Sequence, residues 1–408
     1  MEIYNIDYNL YVQDGEHEPK QMTNFTPVIE TAYYPLEGSQ DDIPAYLGIQ
    51  LILEDGSVRS LTLPMTSNLA RTIVAEEPRA VLLKTGYAPL VQKYIVDQLS
   101  KIGRPSECQR GLYLPGNGTY RLADGQHVTV WNGRVAGSTR LDGPYMIKPN
   151  DTYRITNSID RPVPTLVRTL LENDAALILP VTYAFLVSRR DVLTAEQHPL
   201  QGGLYITGVQ SSGKTTLARR VFGYTERIGT PGKAALVLEA VSTEAAVRDT
   251  LSENPGCVVI IDDLAKSSSR TIEAHRKKLG GAMLRLAANE GDSTKKGKTG
   301  KTDHRDCTAG IALTAEFVLD GVSELTRSIF VYLDKKLHLT EDVRPALIGA
   351  VLEEFADWFA DNYGRAIELL HEITNSPDIL KNIRVNGADE FAELLMRERR
   401  IQDNLALL

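Results

Sequence analysis

The segment GVQSSGKTT, Gly208 to Thr216, restricts the fold of this chain more than any other stretch. It fits G-x-x-x-x-G-K-[ST], a pattern that works only between a strand and a helix. Leu204, Tyr205 and Ile206 form a short apolar run before it, readable as a buried strand. Thr216 to Phe222 (TLARRVF) follows with helical spacing. The glycines let successive backbone N–H groups turn towards phosphate oxygens, and the helix start adds the positive end of its dipole. Lys214 can then reach the β- and γ-phosphates, and the Thr215 hydroxyl can ligate Mg²⁺. Gly208, Gln210, Ser211, Ser212, Gly213, Lys214, Thr215 and Thr216 are therefore read as a nucleotide-binding loop, with ATP and Mg²⁺ as its ligands. A glycine-rich turn without a ligand is the bland alternative, and the flanking strand and helix argue against it.

A second segment turns the loop into a site. CVVIIDDLA, Cys257 to Ala265, is an apolar run rich in β-branched residues that ends in two carboxylates. Such a run suits a parallel strand buried on both faces. Ligand chemistry in open α/β sheets gathers at the carboxyl ends of strands, so Asp262 and Asp263 are expected beside the loop. Asp262 suits the metal-associated role and Asp263 suits orienting an attacking water.

Bulk properties bound the rest. With 408 residues the chain exceeds one ordinary core, so two or three domains are expected. A net charge of −8 argues against a wholly basic nucleic-acid coat but leaves room for a local basic groove. The three cysteines, Cys108, Cys257 and Cys307, lack metal-type spacing, which points to a reducing cytoplasm. The start, MEIYNIDYNL, shows no signal-peptide pattern. The longest apolar run, Ala175 to Val187, is interrupted by Pro180 and too short to span a bilayer, so it reads as a core helix and no membrane partner is expected.

Three regions are expected: an α+β, β-rich domain over 1–160, an α/β ATPase core over 161–337, and a helical segment, read as a lid, over 338–408. YLGIQLIL and VRSLTLPM flank Glu54-Asp55-Gly56-Ser57 and read as a β-hairpin. Residues 87–99 read as a helix, and Arg161-Pro-Val-Pro164 as a linker. In the core, strands are expected at 204–207, 235–239, 257–261, 310–314 and 328–333, alternating with helices as in a parallel sheet. Ser242 is the expected cap of the helix that carries Glu244, Val247 and Leu251.

Three further elements bear on chemistry. GIALTAE, Gly310 to Glu316, ends a strand in polar residues, and Thr314 is the candidate sensor of the γ-phosphate or water. Arg327 sits just before an apolar strand in ELTRSIFVYLD; from there an arginine of a ring ATPase reaches the neighbouring subunit's γ-phosphate. Lys295, Lys296, Lys298 and Lys301, spaced by Gly and Thr, form a basic loop suited to sequence-independent phosphate contacts. A solvated surface arginine and a solvated charge run are the bland alternatives.

The order of Gly208–Thr216, Asp262–Asp263, Thr314 and Arg327 resembles AAA+ ring ATPases, especially MCM-like and superfamily 3 helicases. More closely, the chain resembles the phage and mobile-element proteins grouped as domain of unknown function 927, over about residues 25 to 370. It departs from that pattern in having Gly111-Leu112-Tyr113 where a Gly-Trp element is expected, and Asp263 where Glu is frequent. The second departure leaves the base open, with Glu316 the next candidate. The resemblance implies an AAA+-like P-loop ATPase and DNA helicase that acts as a homo-oligomer, a hexameric ring. It would work on single-stranded or forked DNA in replication, with a loader or primase as partner. An oligomeric regulatory or defence NTPase that does not translocate on DNA is the rival reading.

Overall fold

A computed structural model of the chain describes residues 1–36, 43–100, 108–239, 242–264, 269–288, 294–296, 302–304, 308–317 and 326–374. At Asp263, Arg270, 294–296 and 302–304 it describes the backbone alone. The chain divides into two compact units. The first holds Met1–Pro115, Leu122–Asp124 and Arg140–Lys148; the second holds Gly116–Arg121, Gly125–Thr139 and the chain from Pro149 onward.

In the first unit the hairpin Tyr46–Leu53 and Val58–Pro64 follows from period-two alternation. Leu47, Ile49, Leu51 and Leu53 all face the core, and Ser57 N–H closes the turn on Asp55 Oδ1 at 2.8 Å. The hairpin forms one side of a five-stranded sheet that continues through Phe25–Pro35 and Gln109–Leu114 to Tyr145–Ile147. Helices Leu69–Glu76 and Ala88–Leu99 bury Leu69, Ile73, Val91 and Ile95 in the same core.

The second unit is built on five parallel strands: β1 (Gly203–Gly208), β2 (Val237–Glu239), β3 (Val258–Leu264), β4 (Gly310–Ala315) and β5 (Ser328–Leu333). Their spatial order is β2-β3-β4-β1-β5. All six residues of β4 and the first five of β1 are buried, as continuous apolar runs between two covered faces must be. Helices α1 (Lys214–Phe222) and α3 (Arg270–Ala287) pack on β1, β3 and β4, while α2 (Glu244–Glu253) packs on α3. A short antiparallel pair, Thr294–Lys296 with Thr302–His304, lies between α3 and β4.

This order creates the crevice that matters. From β1 the chain crosses to β2 at one edge of the sheet; from β4, the neighbour of β1, it crosses to β5 at the other edge. The two connections leave adjacent, still-paired strands in opposite directions, so the segments that follow their carboxyl ends diverge. Ligands of open α/β sheets bind at such a switch point.

Some elements differ from the sequence expectation. Thr243, not Ser242, caps α2: its hydroxyl accepts from Ala246 N–H, and only Thr243 stands three residues before that donor. Arg161–Pro164 does not run on as a linker but opens the helix Pro162–Glu172, where proline fits the first helical position. The short strands Gly118–Arg121, His127–Trp131 and Arg134–Val135 fall in the second unit. Arg134 grips Asp357 with both Nη atoms, at 2.8 and 2.9 Å, and Glu353 with Nε at 2.9 Å, fastening that sheet to helix Pro345–Asp361. A last helix, Tyr363–Thr374, follows.

Candidate nucleotide-binding site

Gly208 ends β1 in register with Leu333 of β5, and its φ is +147°. A Cβ there would lie 2.1 Å from Leu333 O, so no other residue fits the close approach of the two backbones. Ser211 (φ +61°) and Gly213 (φ +100°) then take left-handed conformations, which turn the loop back onto itself. Such alternation aims successive N–H groups into one concavity, the geometry that holds anions. Lys214 opens α1 at 9% exposure and lies over the loop, its Nζ donating to Val209 O at 2.8 Å and Gly208 O at 3.2 Å.

A cavity of about 290 Å³ lies at the switch point, lined by residues 211–216, Leu264, Thr314, Ala315 and Glu316. The ends of β3 and β4 and the start of α1 thus share one space. Asp262 sits beside it, buried at the end of β3. Its Oδ1 accepts from Thr314 Oγ1 at 2.6 Å and from Thr215 Oγ1 at 2.8 Å, and its Oδ2 from Arg219 Nη2 at 3.1 Å.

The donor set is a carboxylate and a hydroxyl in contact, both hard oxygens of the kind that suit Mg²⁺. Among the described residues no group of three or more His, Cys, Asp or Glu side chains could hold a metal. Mg²⁺ binds through one or two protein oxygens and takes the rest from phosphate and water. Thr215 and Asp262 are the residues that would hold it.

The other residues singled out in the sequence fall in different places. Ser211, Ser212, Gly213, Thr215 and Thr216 line the cavity; Gln210 is exposed at the loop tip, outside the lining. Glu316 is in the lining, with its N–H bonded to Leu264 O at 3.2 Å. The side chain of Asp263 lies outside the described residues, as do Lys298 and Lys301. Lys295 and Lys296 lie on the first strand of the short hairpin, described by backbone alone.

Arg327 is half-buried at the amino end of β5, where its carbonyl accepts from Gly203 N–H at 3.0 Å. The strand between it and the loop is six residues long, about 20 Å at roughly 3.3 Å per residue. Within one chain it is not brought to Lys214. Arg219 was not singled out in the sequence at all. The signal was there: it stands four residues after Thr215, one helical turn on, and so shares its face of α1.

No protein-family model matches the chain, and no curated protein matches it by sequence. Solved structures do. The chain is similar to one described as SCCmec type IV Cch, an active helicase, with a TM-score of 0.57 and 12% identity, over 99% of this chain and 74% of that one. Inhibitor-bound JCV helicase overlaps 54% of this chain and 70% of its own, at 13% identity and a TM-score of 0.26. At such identities the first likeness is one of fold. The parallel sheet and this shared fold fit a P-loop NTPase core. Among the described residues no helix is long and apolar enough to cross a membrane.

Proposed function

We propose that the chain is an ATP-driven ring ATPase that translocates on DNA, a replicative-type helicase of a phage, plasmid or mobile element of the domain of unknown function 927 kind. The observation that carries the ATPase part is the meeting of Lys214, Thr215 and Thr314 around one cavity, with Asp262 bonded to both hydroxyls. The likeness to a structure described as an active helicase, over 99% of this chain, supports the motor part. The lysine-bearing hairpin just before β4 supports it too, because its charge suits a phosphate backbone.

In this mechanism the carbonyls that now hold Lys214 yield to β- and γ-phosphate oxygens. A bound Mg²⁺ would offset charge on those oxygens. Asp262 keeps the Thr215 and Thr314 hydroxyls oriented, so the site is ordered before the nucleotide arrives. Asp263 orients the attacking water, with Glu316, in the cavity wall, as the alternative base. Arg327 acts on the neighbouring subunit's γ-phosphate, since its own phosphate loop is a strand length away. The active form is then a homo-oligomer, a hexameric ring with single-stranded or forked DNA in its channel and a loader or primase beside it.

The test is the ATPase rate with and without single-stranded DNA, together with a mass measurement in a non-hydrolysable nucleotide. Stimulation by DNA and a ring mass are expected. Replacing Lys295, Lys296, Lys298 and Lys301 by Ala should remove the stimulation and spare the basal rate. ATP turnover with no DNA binding at low salt would favour the oligomeric regulatory or defence NTPase.

A further inference from the structure

We propose that Arg219 is a positioning residue for Asp262 that keeps divalent cations from the site until a nucleotide brings them, a role that rests on the reading of the cavity as a Mg²⁺-nucleotide site. The geometry is specific. Both oxygens of Asp262 are occupied, Oδ1 by the Thr215 and Thr314 hydroxyls and Oδ2 by the Arg219 guanidinium. The Asp262 side chain is 10% exposed, so little water competes for it. Thr215 and Arg219 stand one turn apart on α1, and the helix therefore fixes where both donors meet the end of β3.

A carboxylate in that state is a poor partner for a free cation. Its charge is already matched by the guanidinium, and its lone pairs accept three hydrogen bonds. Mg²⁺ gives up its hydration shell reluctantly and needs net negative charge to do so. Asp262 alone does not offer it. The oxygens of a nucleotide's phosphates would add that charge next to Thr215, so that Thr215 and Asp262 would hold the metal only together with the nucleotide. The Arg219 side chain is itself 57% exposed, which leaves it room to turn away from Oδ2 towards solvent. Coupling of this kind is reciprocal: what makes nucleotide necessary for metal makes metal necessary for nucleotide, by the same factor.

The neighbouring arginine supplies a control. Arg220 points off the same helix in another direction and donates to Thr340 O at 2.8 Å. Among the described residues its hydrogen bonds go to Leu339 O and Thr340 O and not to the Asp262 cluster, so it should not affect the metal.

The experiment uses the full chain and Mn²⁺ as the probe, read by the paramagnetic signal of the free ion, with and without ADP. Wild type should bind little Mn²⁺ until ADP is added. Arg219→Met should bind free Mn²⁺ about tenfold more tightly, and the dependence of ADP affinity on Mn²⁺ should shrink by the same factor, within the range usual for linked sites. Arg219→Lys, which keeps the charge without the planar fork, should fall between the two. Arg220→Met should match wild type, and Arg219→Met/Asp262→Asn should lose the gained binding. A structural salt bridge alone would alter melting and leave these affinities where they were. Unchanged Mn²⁺ affinity in Arg219→Met, in a protein that still binds ADP, would overturn the inference and leave the site standing. Gained binding that survives Asp262→Asn would overturn it as well, by placing the ion elsewhere. A wild type that binds no nucleotide with or without metal would sink the reading of the cavity itself, and this role with it.

Discussion

The five-stranded sheet buries a cation at each end, and the two are employed differently. At the carboxyl end Lys214, 9% exposed, donates to two carbonyls of its own loop at the wall of an open cavity. At the amino end Arg190, 2% exposed, donates to Ala309 O at 2.7 Å, Leu200 O at 3.3 Å and Ala287 O. Those three carbonyls belong to the residue before β4, the approach to β1 and the last residue of α3. A helix C-terminus favours positive charge, so Arg190 closes α3 as well as the sheet. The difference lies in what could replace the acceptors. In the proposed site phosphate oxygens take Lys214 from its loop, because a cavity lies beside it. The acceptors of Arg190 are backbone groups in the sealed interior, where removing the partner leaves them bare. A buried cation beside a cavity is available for chemistry; one surrounded by carbonyls is structural.

The sharpest way to break this contrast is Lys214→Ala. Turnover should fall by at least about 10²–10³-fold, as when a single donor to developing charge is removed, and binding of an ATP analogue should be lost with it. The melting temperature should barely move, since the loop carbonyls it leaves can reach water. Calorimetric titration and a melting scan check both halves. A variant that unfolds rather than losing nucleotide would mean that Lys214 resembles Arg190 after all.

Arg327 tests whether every cation at the amino end is structural. It is half-buried rather than sealed, and its proposed target belongs to another subunit. Arg327→Ala should bind ATP with near-normal affinity and lose about 10³-fold in rate, the scale of such arginines. Mixed with Lys214→Ala subunits it should regain some activity, because one kind of mixed interface would be intact. Full turnover by Arg327→Ala with a lowered melting point would place it with Arg190.

Arg190→Met keeps most of the volume and removes the charge. Carbonyls left without a donor cost about 1–3 kcal/mol each where no water can reach. A loss of about 3 kcal/mol is expected in urea unfolding, with nucleotide affinity of the folded protein unchanged. Loss of nucleotide binding without loss of stability would erase the distinction between the two ends.

How much of this is legible in the sequence follows from the range of the forces involved. The strand positions are local: apolar runs expected at 204–207, 310–314 and 328–333 lie within Gly203–Gly208, Gly310–Ala315 and Ser328–Leu333. The strand order that makes the crevice is not local, and no pattern in the runs specifies it. Thr215, Asp262 and Thr314 enter the argument through motif chemistry. Arg219 does not, because an arginine on a helix surface looks the same whether it meets water or a carboxylate 43 residues away in sequence. The same holds for residues 116–139. Their Asn-Gly and Asp-Gly turns are plain in the sequence, but the pairing of Arg134 with Asp357 is a contact over 223 residues that leaves no local signature.

That pair supplies the weakest and last prediction, a cation that belongs to neither end of the sheet. The Arg134 guanidinium beside Asp357 holds its carboxyl below the usual carboxylate range, and a hydrogen bond from Gly137 N–H helps against the cost of burial. The folded pKa is therefore below the unfolded one, near 3.9. By linkage the stabilisation is fully present above the unfolded value and is lost as pH falls through the folded one. Both side chains are 40% exposed, so water screens the pair and its worth is at most about 1 kcal/mol. Asp357→Asn should cost that much or less at neutral pH, and added salt should reduce the difference. As pH falls below about 4 and on through the folded value the difference should shrink, since wild type then also loses its charge. Urea unfolding at pH 7 and pH 3 measures it. A loss as large as that of Arg190→Met, unchanged at pH 3 and in salt, would show that packing of the 116–139 sheet on helix Pro345–Asp361 depends on shape rather than charge. Exposure would then no longer separate the strong cations of this unit from the weak one.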